Sequence, residues 1–413
     1  MTTPVPTPQG PAIRGVLLLG PAFVAAIAYV DPGNVAANLS AGAKYGYLLV
    51  WVLLVANLMA GLIQYQSAKL GLVTGASLPE LLGARLRRGT RLAFWVQAEL
   101  IAAATDLAEV IGGAIALNLL FDLPLVLGGL IVGVVSMILL GVQSRFGQRP
   151  FEFAIIGLLA IIAIGFLAGL VVRPPDGASV LSGLVPRFAG TGSVLLAASV
   201  VGATVMPHAI YVHSALARDR HGRADGPAQT GRLLRVTKWD VSIALTLAGI
   251  VNIGMLLLAA TNLRGIHGVD TIAGAHTAIA TALGPAIAVI FAIGLLASGL
   301  ASTSVGSYAG ATIMAGLLRR RIPMIVRRTV TLIPALVLLG FGADPTAVLI
   351  ISQVVLSFGI PFALIPLLRL TNSPSVMGAF ANTLAVKILL FVAIVLVIGL
   401  NLTLLLLALA GGA

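Results

Sequence analysis

The chain reads as an all-α polytopic membrane protein, with two inverted groups of five spans followed by an eleventh helix. Three observations predict this. Of its 413 residues, 59% are hydrophobic and only 9% are charged, which is outside the range of soluble domains. Apolar runs of about 20 residues, each long enough to cross a hydrocarbon core, recur about eleven times between charged or Gly/Pro-rich loops. The first and sixth runs also carry matched interruptions, Ala28-Tyr29-Val30-Asp31-Pro32 and Ala203-Thr204-Val205-Met206-Pro207. Each opens a group of five. Five is odd, so the second group starts from the opposite side of the membrane. Paired interruptions in corresponding spans point to the central site of a carrier.

In chain order the spans are expected at 15–41, 47–71, 92–121, 123–142, 151–172, 193–217, 237–260, 284–315, 324–341, 346–368 and 377–409. Residues 1–14 read as a polar, disordered cytoplasmic tail and 15–173 as the first repeat. Residues 174–192 read as an extracellular loop, 193–370 as the second repeat, and 371–413 as the eleventh helix and C-terminus. Alternate loops carry the arginines. Arg85, Arg87, Arg88 and Arg91 follow span two, and Arg145 and Arg149 follow span four. Arg218, Arg220, Arg223, Arg232, Arg235 and Lys238 follow span six. Arg319, Arg320 and Arg321 follow span eight, and Arg327 and Arg328 enter span nine. The other loops offer little beyond Arg173, Arg187 and Arg264. The positive-inside rule puts the N-terminus in the cytoplasm and the C-terminus outside a cell membrane. The net charge of +12 therefore reports orientation and not a nucleic-acid partner. The lipid bilayer is the one macroscopic partner implied. No obligatory protein partner is inferred, so a monomer or weak oligomer is expected. With no cysteine, disulfides and thiolate chemistry are excluded.

The interruptions carry the chemistry. Pro32 and Pro207 lack an N–H, which frees the carbonyls of Ala28 and Ala203. Each proline also pushes the residue before it, Asp31 or Met206, out of helical geometry. Gly33 permits the sharp turn, and Asn34 is expected to add an amide oxygen. A carboxylate at this depth costs roughly 3 kcal/mol, and broken backbone survives there only inside protein or beside a water-filled cavity. The donor set is two carbonyls, one carboxylate, one amide and one thioether. The oxygens suit manganese or ferrous iron, and the soft sulfur of Met206 favours transition metals over calcium or magnesium. One carboxylate leaves the loaded site net positive, which suits cargo that must be released. The metal is thus substrate, and no resident cofactor is implied.

A second polar constellation lies on span three. Glu99, Asp106 and Glu109 fall within about 80° of one another at ~100° per residue, so they share one face. Three acids on one membrane helix must face the interior. Arg327 and Arg328 enter span nine from the same side as Glu99, so salt bridges among these groups would form a polar track toward the cytoplasm. Metal arriving at Asp31 should expel a proton. His208 lies beside the site, and His213, two turns beyond Met206, is expected to line the same cavity. Lys387 is expected to snorkel, Asn252 to hydrogen-bond across helices, and His221, His267 and His276 to be solvated.

Asp31-Pro32-Gly33-Asn34 and Met206-Pro207-His208, with Ala104–Glu109, Leu296–Leu300 and Ser352-Gln353-Val354, resemble the Nramp family of proton-coupled divalent-metal transporters. The resemblance runs through almost the whole chain. It implies a LeuT-like fold with helices 1 and 6 unwound at mid-membrane. It also implies proton-driven uptake of manganese or ferrous iron, with cadmium as a soft surrogate. The family's metal ligands fall on Ala28, Asp31, Asn34, Ala203 and Met206, with Gln353 joining in some conformations. Positions matching Asp106, Glu109 and Arg328 belong to its proton pathway, and the position of His208 tunes coupling. Three rivals fit less well. A LeuT-like carrier of an amino acid would have its carboxylate repelled by Asp31. A channel would show rings of repeated donors. An enzyme would need a nucleophile with its base, or a His-Glu-x-x-His site, and neither is present in the chain.

Overall fold

The computed structural model describes residues 20–146, 148–222, 226–266, 268–269, 271–319 and 324–409, without the side chains of 140–146, 148, 324–325 and 408. The expected tail at 1–14, Arg223, His267, Arg320, Arg321 and the side chain of Arg145 lie outside the described residues. Every regular element among the described residues is helical. The first repeat holds α1 (Pro21–Ile27), α2 (Pro32–Tyr45), α3 (Val50–Thr74), α4 (Leu78–Arg85), α5 (Arg88–Phe121), α6 (Leu125–Phe146) and α7 (Gln148–Val172). A connecting α8 (Gly177–Ser182) leads to α9 (Thr191–Thr204), α10 (Pro207–His221), α11 (Pro227–Asn262), α12 (Ile272–Leu283) and α13 (Pro285–Ile313). Then come α14 (Met324–Gly340), α15 (Pro345–Asn372), α16 (Pro374–Met377) and α17 (Leu384–Leu409). Among the described residues eight stretches have the length and hydropathy of a membrane span, seven of them single helices and the eighth α9 and α10 taken together. With the broken first helix, α6 and α14, they occupy the eleven positions read from the hydropathy.

Both breaks fall where the prolines require them. After a single 3₁₀ turn at Ala28–Val30, Asp31 is extended (φ −70°, ψ 167°) and Pro32 opens α2. Met206 is likewise extended (φ −74°, ψ 124°), and Pro207 opens α10. Proline suits the first helical position because its missing N–H has no partner to lose there. Each proline ring is received by a glycine of a neighbouring span. A Cβ on Gly112 of α5 would collide with Pro32, and one on Gly359 of α15 would crowd Pro207. The two breaks are thus seated between α5 and α15, with α13 and α11 closing the remaining sides.

Two boundaries differ from expectation. Helix α11 begins at Pro227, about three turns before the hydropathic span, so Arg232, Arg235 and Lys238 lie on helix and not in a loop. Hydropathy marks where a helix meets lipid and is blind to its continuation into water. Helix α17 begins only at Leu384, because Pro374–Phe380 folds as two short turns. Asn382 then ties the segment back, donating to Thr371 Oγ1 and accepting from Lys69 Nζ, at 2.9 and 2.8 Å.

Candidate cation site and acid–arginine ladder

The two breaks meet. Asn34 Nδ2 donates to Asp31 Oδ1 and to the freed Ala203 carbonyl, each at 2.9 Å, which bridges the first interrupted span to the sixth. Asp31 Oδ1 also accepts the Asn34 backbone N–H at 2.7 Å, so the aspartate caps α2. Gln353 approaches from α15, its Nε2 3.5 Å from Asp31 Oδ2. Gly33 and Gly202 make this approach possible, since a Cβ on Gly33 would occupy the Gln353 side chain and one on Gly202 would strike the Gln353 carbonyl. Ala28, Asp31, Asn34, Ala203, Met206 and Gln353 are all buried, at 2% exposure or less. Without a cation, the amide of Asn34 presents its nitrogen to Asp31 and Ala203. Between two acceptor oxygens only a donor or a cation is stable. The Asn34 N–H group therefore holds the place that a cation would take, and Oδ1 has no hydrogen-bond partner. Gln353 Oε1 is likewise without one. Two buried amide oxygens beside one carboxylate are the unmet acceptors that an oxygen-binding cation would satisfy.

Flanking carbonyls are capped by donors from other spans. Ser298 Oγ of α13 donates to Val30 O at 2.6 Å, and Asn252 Nδ2 of α11 donates to Tyr29 O, also at 2.6 Å. Asn252 Oδ1 in turn accepts from Asn38 of α2, so its role is the cross-helix bonding expected of it. His213 belongs to a separate relay. Its Nδ1 lies 2.7 Å from Gln64 Oε1, and Gln64 Nε2 donates to Tyr29 Oη on the α1 side of the first break. His208 faces the other way, with Nδ1 3.3 Å from Thr105 Oγ1 of α5.

Beyond His208 the acids of α5 and the arginines of α14 come together. Arg328 Nη1 is 3.3 Å from Asp106 Oδ1, and Arg327 Nη1 is 3.8 Å from Asp106 Oδ2. Arg327 Nε reaches Glu99 Oε1 at 3.1 Å. Glu109 lies one turn deeper than Asp106 and is buried, with Oε2 lacking a hydrogen-bond partner. Helix α13 leaves room for this ladder with two glycines: a Cβ on Gly306 would press on Glu109 and Asp106, and one on Gly310 would enter the Arg327 guanidinium. Ion pairs thus join Glu99, Asp106, Arg327 and Arg328, and Glu109 lies buried one turn from Asp106 without an ion pair among them.

Sequence reasoning overlooked several groups. Asp240 of α11 caps α1 from outside, accepting from Gly20 N at 3.0 Å and Ala22 N at 2.9 Å. Arg220 of α10 pairs with Glu152 of α7 at 3.5 Å beside it. The available signal was an acid set in each of two apolar runs. Gln64 and Tyr29 gave a similar signal. His276 sits half-buried on α12, and His221 is partly buried at the end of α10, so neither is the solvated loop residue expected.

The chain is similar to known proteins. A family model described as natural resistance-associated macrophage protein-like matches residues 22–407. The divalent metal cation transporter MntH of Mycobacterium tuberculosis is 61% identical over 394 residues, covering 95% of this chain and 92% of that protein. The crystal structure of an Eremococcus coleocola manganese transporter, bound to an aromatic bis-isothiourea compound, superposes with a TM-score of 0.85 at 31% identity, covering 97% of this chain and 88% of that one. Two more distant LeuT-fold transporters share the fold alone. Mhp1 has a TM-score of 0.58 at 16% identity, covering 94% of this chain and 92% of its own. MhsT has 0.59 at 14%, covering 96% and 98%.

Proposed function

The chain belongs to the Nramp family, and we propose that it imports divalent transition-metal ions, Mn²⁺ and Fe²⁺ with Cd²⁺ as a soft surrogate, by proton symport with alternating access. The observation that carries this reading is the bridge from Asp31 through the Asn34 amide to the Ala203 carbonyl, between two broken spans. A cation entering there displaces the amide N–H, turns the amide oxygens of Asn34 and Gln353 inward, and meets the sulfur of Met206. Asp31 exchanges its proton for the metal. His208 and the ladder of Glu109, Asp106, Arg328, Arg327 and Glu99 give that proton a route toward the arginine-rich face. The half-helices α1 and α10 form the inner gate, and α2 and α9 the outer one. In this reading the N-terminus is cytoplasmic, the C-terminus lies outside, and one chain suffices as a carrier without enzymatic chemistry.

Uptake by purified protein in lipid vesicles tests this, with manganese, cadmium, calcium and an amino-acid panel as candidate cargo. Saturable manganese and cadmium uptake, accelerated when the outer solution is acidified by one unit, is expected. A flat response to the pH gradient would separate metal carriage from proton symport. Uptake of an amino acid without metal would sink the assignment.

A further inference from the structure

The chain places few cations on the face opposite its arginine-rich loops, yet the fold gathers three of them. Lys44 at the end of α2, Arg187 after α8 and Arg264 after α11 line one recess of about 330 Å³, with the hydroxyls of Ser179 and Ser182 beside them. All three cations are exposed, and no carboxylate lines the recess among the described residues. Like charges gathered without a counter-charge indicate an anionic partner.

An apolar groove of about 340 Å³ adjoins it, between α3, α9 and α17. The two share a wall. Arg187 lines the recess and Phe188 the groove, while Trp51 donates its indole N–H to the Arg187 carbonyl at 3.3 Å and packs edge-on to Phe188 at 5.4 Å. The groove follows α3 from Trp51 to Met59. At 1.5 Å per residue that is ~12 Å, close to the half-thickness of about 15 Å of one leaflet's hydrocarbon. A tryptophan at its mouth sits where interfacial aromatics sit.

We propose that these two cavities form one site for an anionic phospholipid of the outer leaflet, with an acyl chain in the groove and the headgroup phosphate over Lys44, Arg187 and Arg264. The site touches α2, which leaves the first break, and α9, which runs into the second, so its occupant bears on the outer gate.

Trp51 reports on the groove. The full chain is placed in phosphatidylcholine nanodiscs containing increasing fractions of chain-brominated phosphatidylglycerol or chain-brominated phosphatidylcholine. Bromine quenches the indole on contact, and the Trp51 signal is the difference between the native protein and Trp51→Phe. Brominated phosphatidylglycerol is expected to quench Trp51 at a roughly tenfold lower mole fraction than brominated phosphatidylcholine. The double variant Arg187→Gln/Arg264→Gln is expected to erase that difference. Gly399→Leu is expected to reduce quenching by both lipids, since Gly399 lines the groove and open space surrounds the place of its missing Cβ. Glycerol phosphate, which carries the headgroup without chains, is expected not to relieve quenching. Equal quenching by the two lipids in the native protein, or a preference that survives both variants, would overturn the proposal. Relief by glycerol phosphate would do so as well, by showing a site for free phosphate esters.

Discussion

Asp31 bears the cost of a carboxylate at mid-membrane through local bonds: two donors from Asn34 and one from Gln353. In the proposed cycle it is the only formal charge on the ion, so Asp31→Ala is expected to lower manganese uptake more than about 100-fold, beyond the usual effect of losing a supporting group. Met206 supplies selectivity and not charge. Met206→Ala is expected to keep part of the manganese uptake while admitting calcium, and continued rejection of calcium by that variant would count against the soft-donor role. Gly33 offers a sharper test of geometry. Its Cβ would fall on the flexible end of Gln353, whereas a Cβ on Gly202 would strike backbone. Gly33→Ala is expected to fold normally and lose transport, with partial recovery in Gly33→Ala/Gln353→Ala. Gly202→Ala is expected to fail in expression. The identities of these residues were legible in the sequence because proline and glycine act on their own few bonds. The direction of the Asn34 amide was not, since its partner Ala203 lies 169 positions away.

Among the elements, α1 is short, with seven residues, and depends on a borrowed cap. Asp240→Ala removes the acceptor of two backbone N–H groups, a loss of about 1 kcal/mol by the usual worth of an N-cap. Amide exchange over residues 21–27 is expected to quicken by about fivefold. Unchanged exchange would show that packing alone holds the helix. Helix α4 is secured differently. Glu80 accepts from Ser77 N at 2.8 Å and pairs with Arg218 of α10. Burial works against the charge on Glu80, but the Ser77 N–H and the Arg218 guanidinium outweigh it and hold the carboxyl below its ordinary value. A lowered acid stabilises the folded state above its ordinary range and loses that contribution as pH falls through the lowered value. Exchange protection of residues 78–85 is therefore expected to drop as acidification passes below the ordinary carboxylate range, and Glu80→Gln is expected to have lost it already at neutral pH. The long spans were legible because a helix that must meet lipid declares itself by unbroken hydropathy. Helices α4, α8 and α12 were not, being short and held by contacts to other elements. The ladder stands between these cases. The spacing of Glu99, Asp106 and Glu109 placed them on one face, but only the packing of α14 against α5 decided that Arg328 pairs with Asp106 while Arg327 is shared with Glu99.

At the scale of the whole molecule, the arginine asymmetry gives a direct test of orientation, because the chain has no cysteine to remove first. Gly89 lies in the first turn of α5 among Arg87, Arg88 and Arg91, and Ala178 is exposed on α8 at the opposite face, so Gly89→Cys and Ala178→Cys report on the two sides. In intact cells an impermeant maleimide is expected to label Ala178→Cys and spare Gly89→Cys, and the reverse pattern would invert the proposed topology. Composition, the positions of the spans and the sites of the two breaks were determined by the sequence by itself, because hydropathy, proline and charge bias act within one span or one loop. The meeting of Asn34 with Ala203, the capping of α1 by Asp240 and the gathering of Lys44, Arg187 and Arg264 were decided only in the tertiary structure. Each needs a partner on another helix, and which helices become neighbours depends on how small residues such as Gly42, Gly71 and Gly202 let their backbones approach.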